Sequence, residues 1–340
     1  MPALKPSFLL APLAFAFALA QSPVPQPLIG AAGYSSPVPI PVAPGQILTL
    51  FLPGLGTLVS TAVTAPQGAL PASLAGVSGS LKQNSTAPEP LPILEVQPIV
   101  SCTMGALVPA TTCGSMLAVT VQIPFDIQTL CPLCLRPISL TPAQIAISVN
   151  GQPSQFVDLN PLNDQVHILT ACDVIFAGSA ALVASGGPCA PIVTHADASL
   201  VSAIKPAKAG EELVAYATGL GQTNPPLATG EPASTPAPTL TIFATDFDYR
   251  LNALATKPGV LLPGVTAINS APVFSGATPG FAGLYQVNFI VPPLPVNGIA
   301  PCSITFAGVP YSSAVQSNLT VSIGSTYSFD GAGICVQPGI

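Results

Sequence analysis

The segment PGQILTLFLPGLG at residues 44–56 returns at residues 209–221 as AGEELVAYATGLG, aligned position for position. A repeat of this length in two copies means a duplicated module and not a solenoid. Each copy reads as a turn, then a strand carrying Phe51 or Tyr216, then a Gly-Leu-Gly exit. Two later blocks keep the same order. VTVQIP at 119–124 answers VNFIVP at 287–292, and ISVNGQP at 147–153 answers ITFAGVP at 304–310. The spacing between blocks differs most between 124 and 151, as expected where strands are shared and loops vary.

Within these blocks Leu117, Val119, Val121 and Ile123 alternate with Ala118, Thr120 and Gln122, and Tyr285, Val287, Phe289 and Val291 alternate with Gln286, Asn288 and Ile290. Period two marks a strand with one buried face. The same alternation runs through Ile145, Ile147 and Val149, through Cys302, Ile304 and Phe306, and through Leu319, Val321 and Ile323, and no capped helical pattern matches it. The pattern predicts an all-β chain of two tandem immunoglobulin-like antiparallel β-sandwich domains. Phe51 and Tyr216 are expected at equivalent buried core sites, and Gly54 and Gly219 at turns that need positive φ or close backbone approach. Expected limits are a signal peptide at 1–20, a linker at 21–29, copy one with a cysteine-rich insert at 30–188, copy two at 189–326 and a tail at 327–340.

Only 6% of residues are charged while 49% are hydrophobic, and 42 prolines and 29 glycines divide the chain into short elements. That balance suits strands whose wet faces carry Ser, Thr, Asn and Gln. Lys5 precedes an apolar run ending in Ala18-Leu19-Ala20, the pattern of a leader with a small-residue cleavage site. The run is too short to span a bilayer, so the expectation is a secreted or cell-surface chain with no membrane span once mature. Removing Lys5 from seven basic residues leaves six against 13 acidic ones, which excludes a nucleic-acid partner. Eight cysteines in an exported chain favour disulfides, and proximity suggests Cys102 with Cys113, Cys131 with Cys134, Cys172 with Cys189, and Cys302 with Cys335.

The run PAKAGEE at 206–212, then YATGLG at 216–221, GLYQVN at 283–288, Val291-Pro292 and Ser317-Asn318 resembles the Solibacter-type C-terminal domain, a family of exported acidobacterial proteins of uncharacterised function. The resemblance is strongest over 189–323, with a divergent second copy over 30–169 where the tyrosine becomes Phe51 and the Tyr-Gln element becomes Ala118-Val119. It implies an immunoglobulin-like sandwich and supplies no catalytic residue.

Candidate chemistry is sparse. Cys131-Pro132-Leu133-Cys134 has the spacing of thiol oxidoreductases and of half a zinc site, but Pro137 and the run after it argue for a turn between strands, and the two histidines, His167 and His195, make a poor completing pair. His195-Ala196-Asp197 offers an acid and a base without a Gly-x-Ser-x-Gly elbow. Asp246-Phe247-Asp248 places two carboxylates on one side of a strand, a partial Ca²⁺ site that copy one does not repeat. Asn84-Ser85-Thr86 and Asn318-Leu319-Thr320 match the glycosylation pattern. With no Trp, the stacking candidates are Tyr34, Tyr216, Tyr249, Tyr285, Tyr311 and Tyr327, of which Tyr216 and Tyr285 are expected in strands as core. These readings assign no catalytic, cofactor-binding or metal-binding residue. The expected role is an exported non-enzymatic structural or adhesive protein whose partner is an extracellular or envelope protein or a glycan. The alternatives are a redox or hydrolytic accessory enzyme using Cys131 and Cys134, or a loop-based glycan-binding module.

Overall fold

The computed structural model describes residues 28–99, 116–129, 143–170, 191–251, 260–261, 268–304, 315–323 and 332–338, less 32–33, 36–38, 153–154 and the positions 53, 85, 297, 300, 301 and 317. Over these residues the protein is all-β. In the first half, β1 (Leu28–Ala31), β2 (Tyr34–Ser35), β4 (Ile47–Leu52), β5 (Val63–Thr64), β9 (Ile93–Ile99) and β10 (Met116–Gln122) form one sheet in the order β2-β1-β4-β10-β9-β5. A second sheet runs β3-β12-β11-β7-β6, from β3 (Ile40–Val42), β6 (Ser73–Leu74), β7 (Val77–Lys82), β11 (Ala143–Val149) and β12 (Gln155–Pro161), with β8 (Glu89–Pro90) also on β7. The β3–β12 ladder is parallel and the others antiparallel. Leu48, Leu50, Val119 and Val121 from one sheet share a core with Leu81, Ile145, Ile147 and Val157 from the other.

The second half repeats the plan. Strands β13 (His167–Ile168), β14 (Val193–Thr194), β15 (Glu212–Thr218), β16 (Ala237–Pro238), β21 (Phe274–Ala277) and β22 (Tyr285–Ile290) form a sheet in the order β13-β15-β22-β21-β16, with β14 also on β15. Opposite it run β20-β17-β25-β26, from β17 (Thr245–Asp248), β20 (Ile268–Ser270), β25 (Leu319–Ile323) and β26 (Ala332–Ile334). Two short ladders, β18 (Arg250–Leu251) with β19 (Val260–Leu261) and β23 (Ser303–Ile304) with β24 (Val315–Gln316), complete the set. Its core joins Leu213, Ala215, Val287 and Phe289 to Phe247, Val321 and Ile334. Phe247 and Phe289 meet across the layers with ring centroids 5.5 Å apart and planes tilted by 52°, a favourable aromatic geometry.

Duplication extends to register. Leu48, Thr49 and Leu50 face Val121, Thr120 and Val119, and their counterparts Leu213, Val214 and Ala215 face Phe289, Asn288 and Val287. The turns close identically. Gly45 N donates to Ile123 O (3.0 Å) and Ile123 N to Gln46 O (2.8 Å), while Gly210 N donates to Val291 O (2.9 Å) and Val291 N to Glu211 O (2.8 Å). Gly54 and Gly219, the exits, hold φ of 79° and 77°, the left-handed region that favours glycine.

Several expectations require correction. The third sequence block needs correction: β11 lies between β7 and β12 as β25 lies between β17 and β26, so the strand in its place is 319–323, while 305–310 lie outside the described residues. Strand β22 buries alternate residues, but all seven of β10 are buried, because the face expected to be wet is closed as well. Phe51 and Tyr216 do occupy equivalent positions, but on the face away from the core, since Leu50, Leu52, Ala215 and Ala217 point inward. Phe51 is buried there, and Tyr216 is half-buried against Ile47, Leu169 and Leu284. Strand β13 precedes the expected boundary at 188/189, yet it pairs with β15, and Val166 and Ile168 enter the second core. Residues 332–334, expected in the tail, form β26.

The halves are joined through the duplicated turn. Phe125, from the segment just after β10, enters the second core. Its backbone N donates to the Thr229 hydroxyl oxygen at 3.0 Å, and its carbonyl accepts from Gln222 Nε2 at 3.2 Å. Gly230 N donates to Gln122 Oε1 at 2.6 Å, and Leu70 N to Gly230 O at 2.8 Å. A Cβ on Gly45, whose φ is 72°, would stand 2.3 Å from the Phe125 ring and 2.8 Å from the Tyr285 hydroxyl. Truncating Phe125 to Ala is expected to cost about 3–5 kcal/mol and to split a single denaturant unfolding transition into two. A single, unshifted transition would show that the halves do not depend on this side chain.

Candidate functional site

The duplicated turn ends in a side chain that the strands aim back at the backbone. Gln46 Oε1 accepts the Ala43 amide at 2.8 Å, and at the equivalent place Glu211 Oε2 accepts the Lys208 amide at 2.8 Å. Gln46 is fully buried, whereas Glu211 is partly exposed and takes a second partner, His195, whose Nδ1 stands 2.6 Å from Glu211 Oε1. The His195 Nε2 lies 3.2 Å from Lys205 O. Burial alone raises the Glu211 carboxyl, but the bonds from His195 and the Lys208 amide bring it below the usual carboxylate range.

The sequence pairs His195 with Asp197, and the structure separates them. Asp197 accepts Lys205 Nζ at 2.6 Å and the Ser199 hydroxyl at 2.5 Å. These donors hold its carboxyl well below the usual range. His195 and Asp197 thus brace two sides of the 195–211 connection, each bound to groups of the connection itself.

The Asp246-Phe247-Asp248 run behaves as its alternation requires: Phe247 is buried, and the two aspartates share the other face of β17. Asp246 Oδ1 accepts Asn269 Nδ2 at 2.7 Å across the β17–β20 ladder. No group of three or more His, Cys, Asp or Glu side chains is arranged to hold a metal among the described residues. Glu89 and Asp126 form a carboxyl pair that the sequence did not suggest. Partial burial, then the Asp126 charge, holds Glu89 above its ordinary value.

Cys302 and Cys335 are joined, with Cα atoms 5.5 Å apart, linking the start of β23 to the end of β26. Cys102, Cys113, Cys131, Cys134, Cys172 and Cys189 lie outside the described residues, as do Tyr311 and Tyr327. Of the other tyrosines, Tyr249 and Tyr285 are buried. Tyr249 donates to Pro292 O (2.9 Å) and Tyr285 to Gly221 O (2.5 Å). Burial pushes the Tyr249 phenol up to about 12 and raises that of Tyr285 as well. Of the glycosylation matches, Asn318 is buried, its Nδ2 donating to Val336 O at 2.7 Å while its Oδ1 accepts Val336 N at 2.8 Å. That side chain stands in for a ladder partner where β26 ends and is closed to modification in the folded protein.

Sequence reasoning missed a polar row across the outer face of the first sheet. Thr64, Glu95, Thr120 and Thr49 stand side by side on β5, β9, β10 and β4. The hydroxyls of Thr49 and Thr120 lie 3.0 Å apart. Only the register reveals it, because in the chain these residues are scattered among apolar neighbours. No protein-family model matches the chain, and no curated protein is similar to it.

Two substitutions separate capping from charge at Glu211. Glu211→Gln keeps the acceptor that Gln46 already uses, so at neutral pH its denaturant midpoint should correspond to a loss of less than about 1 kcal/mol. Glu211→Ala strands the Lys208 amide and should cost about 0.5–1.5 kcal/mol more. A carboxyl whose pKa is depressed stabilises the fold above its unfolded value of 4.5, and the gain disappears as pH falls through the folded value. The parent should therefore lose its advantage over Glu211→Gln in acid; equal losses from both variants would remove the capping role. Replacing Cys302 and Cys335 together by Ser opens a crosslink spanning 33 residues and should cost about 2–4 kcal/mol, read as a lower melting temperature.

Proposed function

We propose that the chain is an exported, non-enzymatic structural or adhesive protein of two tandem immunoglobulin-like β-sandwiches, related to the Solibacter-type C-terminal domains. The observation that carries this reading is the junction. Phe125 of one half lies in the core of the other, and Gln122 holds the Gly230 amide, so the two modules make one continuous body. Such a body transmits force and presents loops at fixed spacing. The candidate acid–base groups support the same reading, since His195, Glu211, Asp197 and Lys205 are bound to one another within one connection. Its partner would be an extracellular or envelope protein or a glycan.

Labelling intact producing cells with a membrane-impermeant reagent tests export and display together. The expected result is labelled protein on cells or in the medium, with reduced attachment of cells to surfaces when the chain is deleted. Protein found only inside the cell, or a turnover abolished by His195→Ala with the fold intact, would overturn the proposal.

A further inference from the structure

Glu95 is a carboxyl placed where a charge has no support. It lies on β9, only 6% exposed, with Thr120 of β10 on one side and Thr64 of β5 on the other. Its Oε2 has no hydrogen-bond partner, and its one side-chain donor is the Thr64 hydroxyl. No charged or titratable side chain stands on β4, β5 or β10, and Glu95 is the single one on β9. At the corresponding place in the second half, opposite Asn288, stands Phe274. The first half has a carboxyl where its duplicate has a hydrocarbon.

The two sides of Glu95 differ in how readily they open. Strand β10 is seven residues long, buried throughout and paired on both edges. Strand β5 is two residues at the edge of the sheet, with Thr64 exposed, and is tied down further by the Ala65 amide donating to Leu94 O at 2.7 Å. An ionised carboxylate demands water, and the short edge strand is the side on which water can reach it. We propose that Glu95 is a proton-operated latch on β5: the neutral carboxyl lets β5 stay seated on β9, and loss of its proton to solvent favours lifting β5 and baring the edge of β9.

Burial pushes the Glu95 carboxyl up to about 7, with the Thr64 bond working in the opposite direction. An acid with a raised folded value stabilises the closed form below its unfolded value, and the advantage is lost as pH rises through the folded one. The latch is therefore tightest in acid, works loose as pH rises towards neutrality, and loosens no further well above it. The Thr64 bond does not reverse this, because an opened Glu95 is fully hydrated and returns to its ordinary value.

Hydrogen exchange of the Ala65 amide in the full chain, corrected for the intrinsic rate, reads the latch directly. Protection should fall about tenfold between pH 6 and pH 8.5, mostly below the folded value and levelling off above it, while amides of β10 stay unchanged. Glu95→Gln should hold Ala65 protection constant over this range. Thr64→Val, which keeps the carboxyl, should lower protection at every pH and retain the fall. Parent protection constant within threefold from pH 6 to 8.5 would overturn the proposal, as would an undiminished fall in Glu95→Gln. If Glu95→Gln does not fold, the Thr64→Val series decides: a flat profile there overturns the latch.

Discussion

The reciprocal bonding between the Gly45-Gln46 turn and Ile123 fixes more of this protein than any other contact. By tying the start of β4 to the end of β10 through two backbone bonds, it sets the register of the central strand pair. With a side-chain period of two, a slip of one residue would turn Leu48, Leu50, Val119 and Val121 out of the core. The second copy uses the same closure with Gly210, Glu211 and Val291. In the first copy the turn does a second job: its glycine leaves room for the Phe125 ring and the Tyr285 hydroxyl, so the element that sets one module's register also seats the other module.

Once register is shared, the copies differ in what each outer face carries. Thr49, Thr120, Glu95 and Gln122 are all buried on the first sheet. Their counterparts Val214, Asn288, Phe274 and Ile290 are partly or well exposed on the second. The buried positions are polar and the open ones largely apolar, the reverse of what burial alone would select. Hydrogen bonding accounts for part of the reversal, since Gln122 accepts the Gly230 amide and the two threonines meet each other. Buried polar partners of this kind specify one arrangement where apolar contact would permit several.

Much of the fold was legible in the chain because strand alternation and the repeat depend on local order. The VTVQIP and VNFIVP blocks do form equivalent strands, and the glycine exits do hold positive φ. The third block failed because a strand followed by a turn recurs throughout an all-β chain, so six or seven residues of similar type do not fix a place in a sheet. Phe51 and Tyr216 do hold equivalent positions, with Phe51 buried, but they point away from the two main cores for a related reason. Alternation says that neighbours point to opposite faces, but in a run such as ILTLFL it does not say which face is the core. The site was less legible still. Glu211 lies 16 residues from His195, Glu95 is 25 residues from Thr120, and only the folded ladders bring these partners together.

The distribution of charge follows from the same economy of elements. With 6% of residues charged, the chain has few ionic groups to spend on its sheets. His195 with Glu211 and Asp197 with Lys205 both brace the connection that leads into β15. That connection has to deliver the chain in register to the repeated Gly210 turn, and it does so without a core of its own. The equivalent approach in the first half is β3, held by a parallel ladder to β12 and by the buried amide of Gln46. Both approaches are pinned by a parallel neighbour, Val42 by Pro161 and Ala207 by Val336, but the first turn is buried and is closed by the neutral side chain of Gln46. The second turn is partly open, and there the same position carries the Glu211 carboxylate, which holds the turn and a histidine from the connection at once.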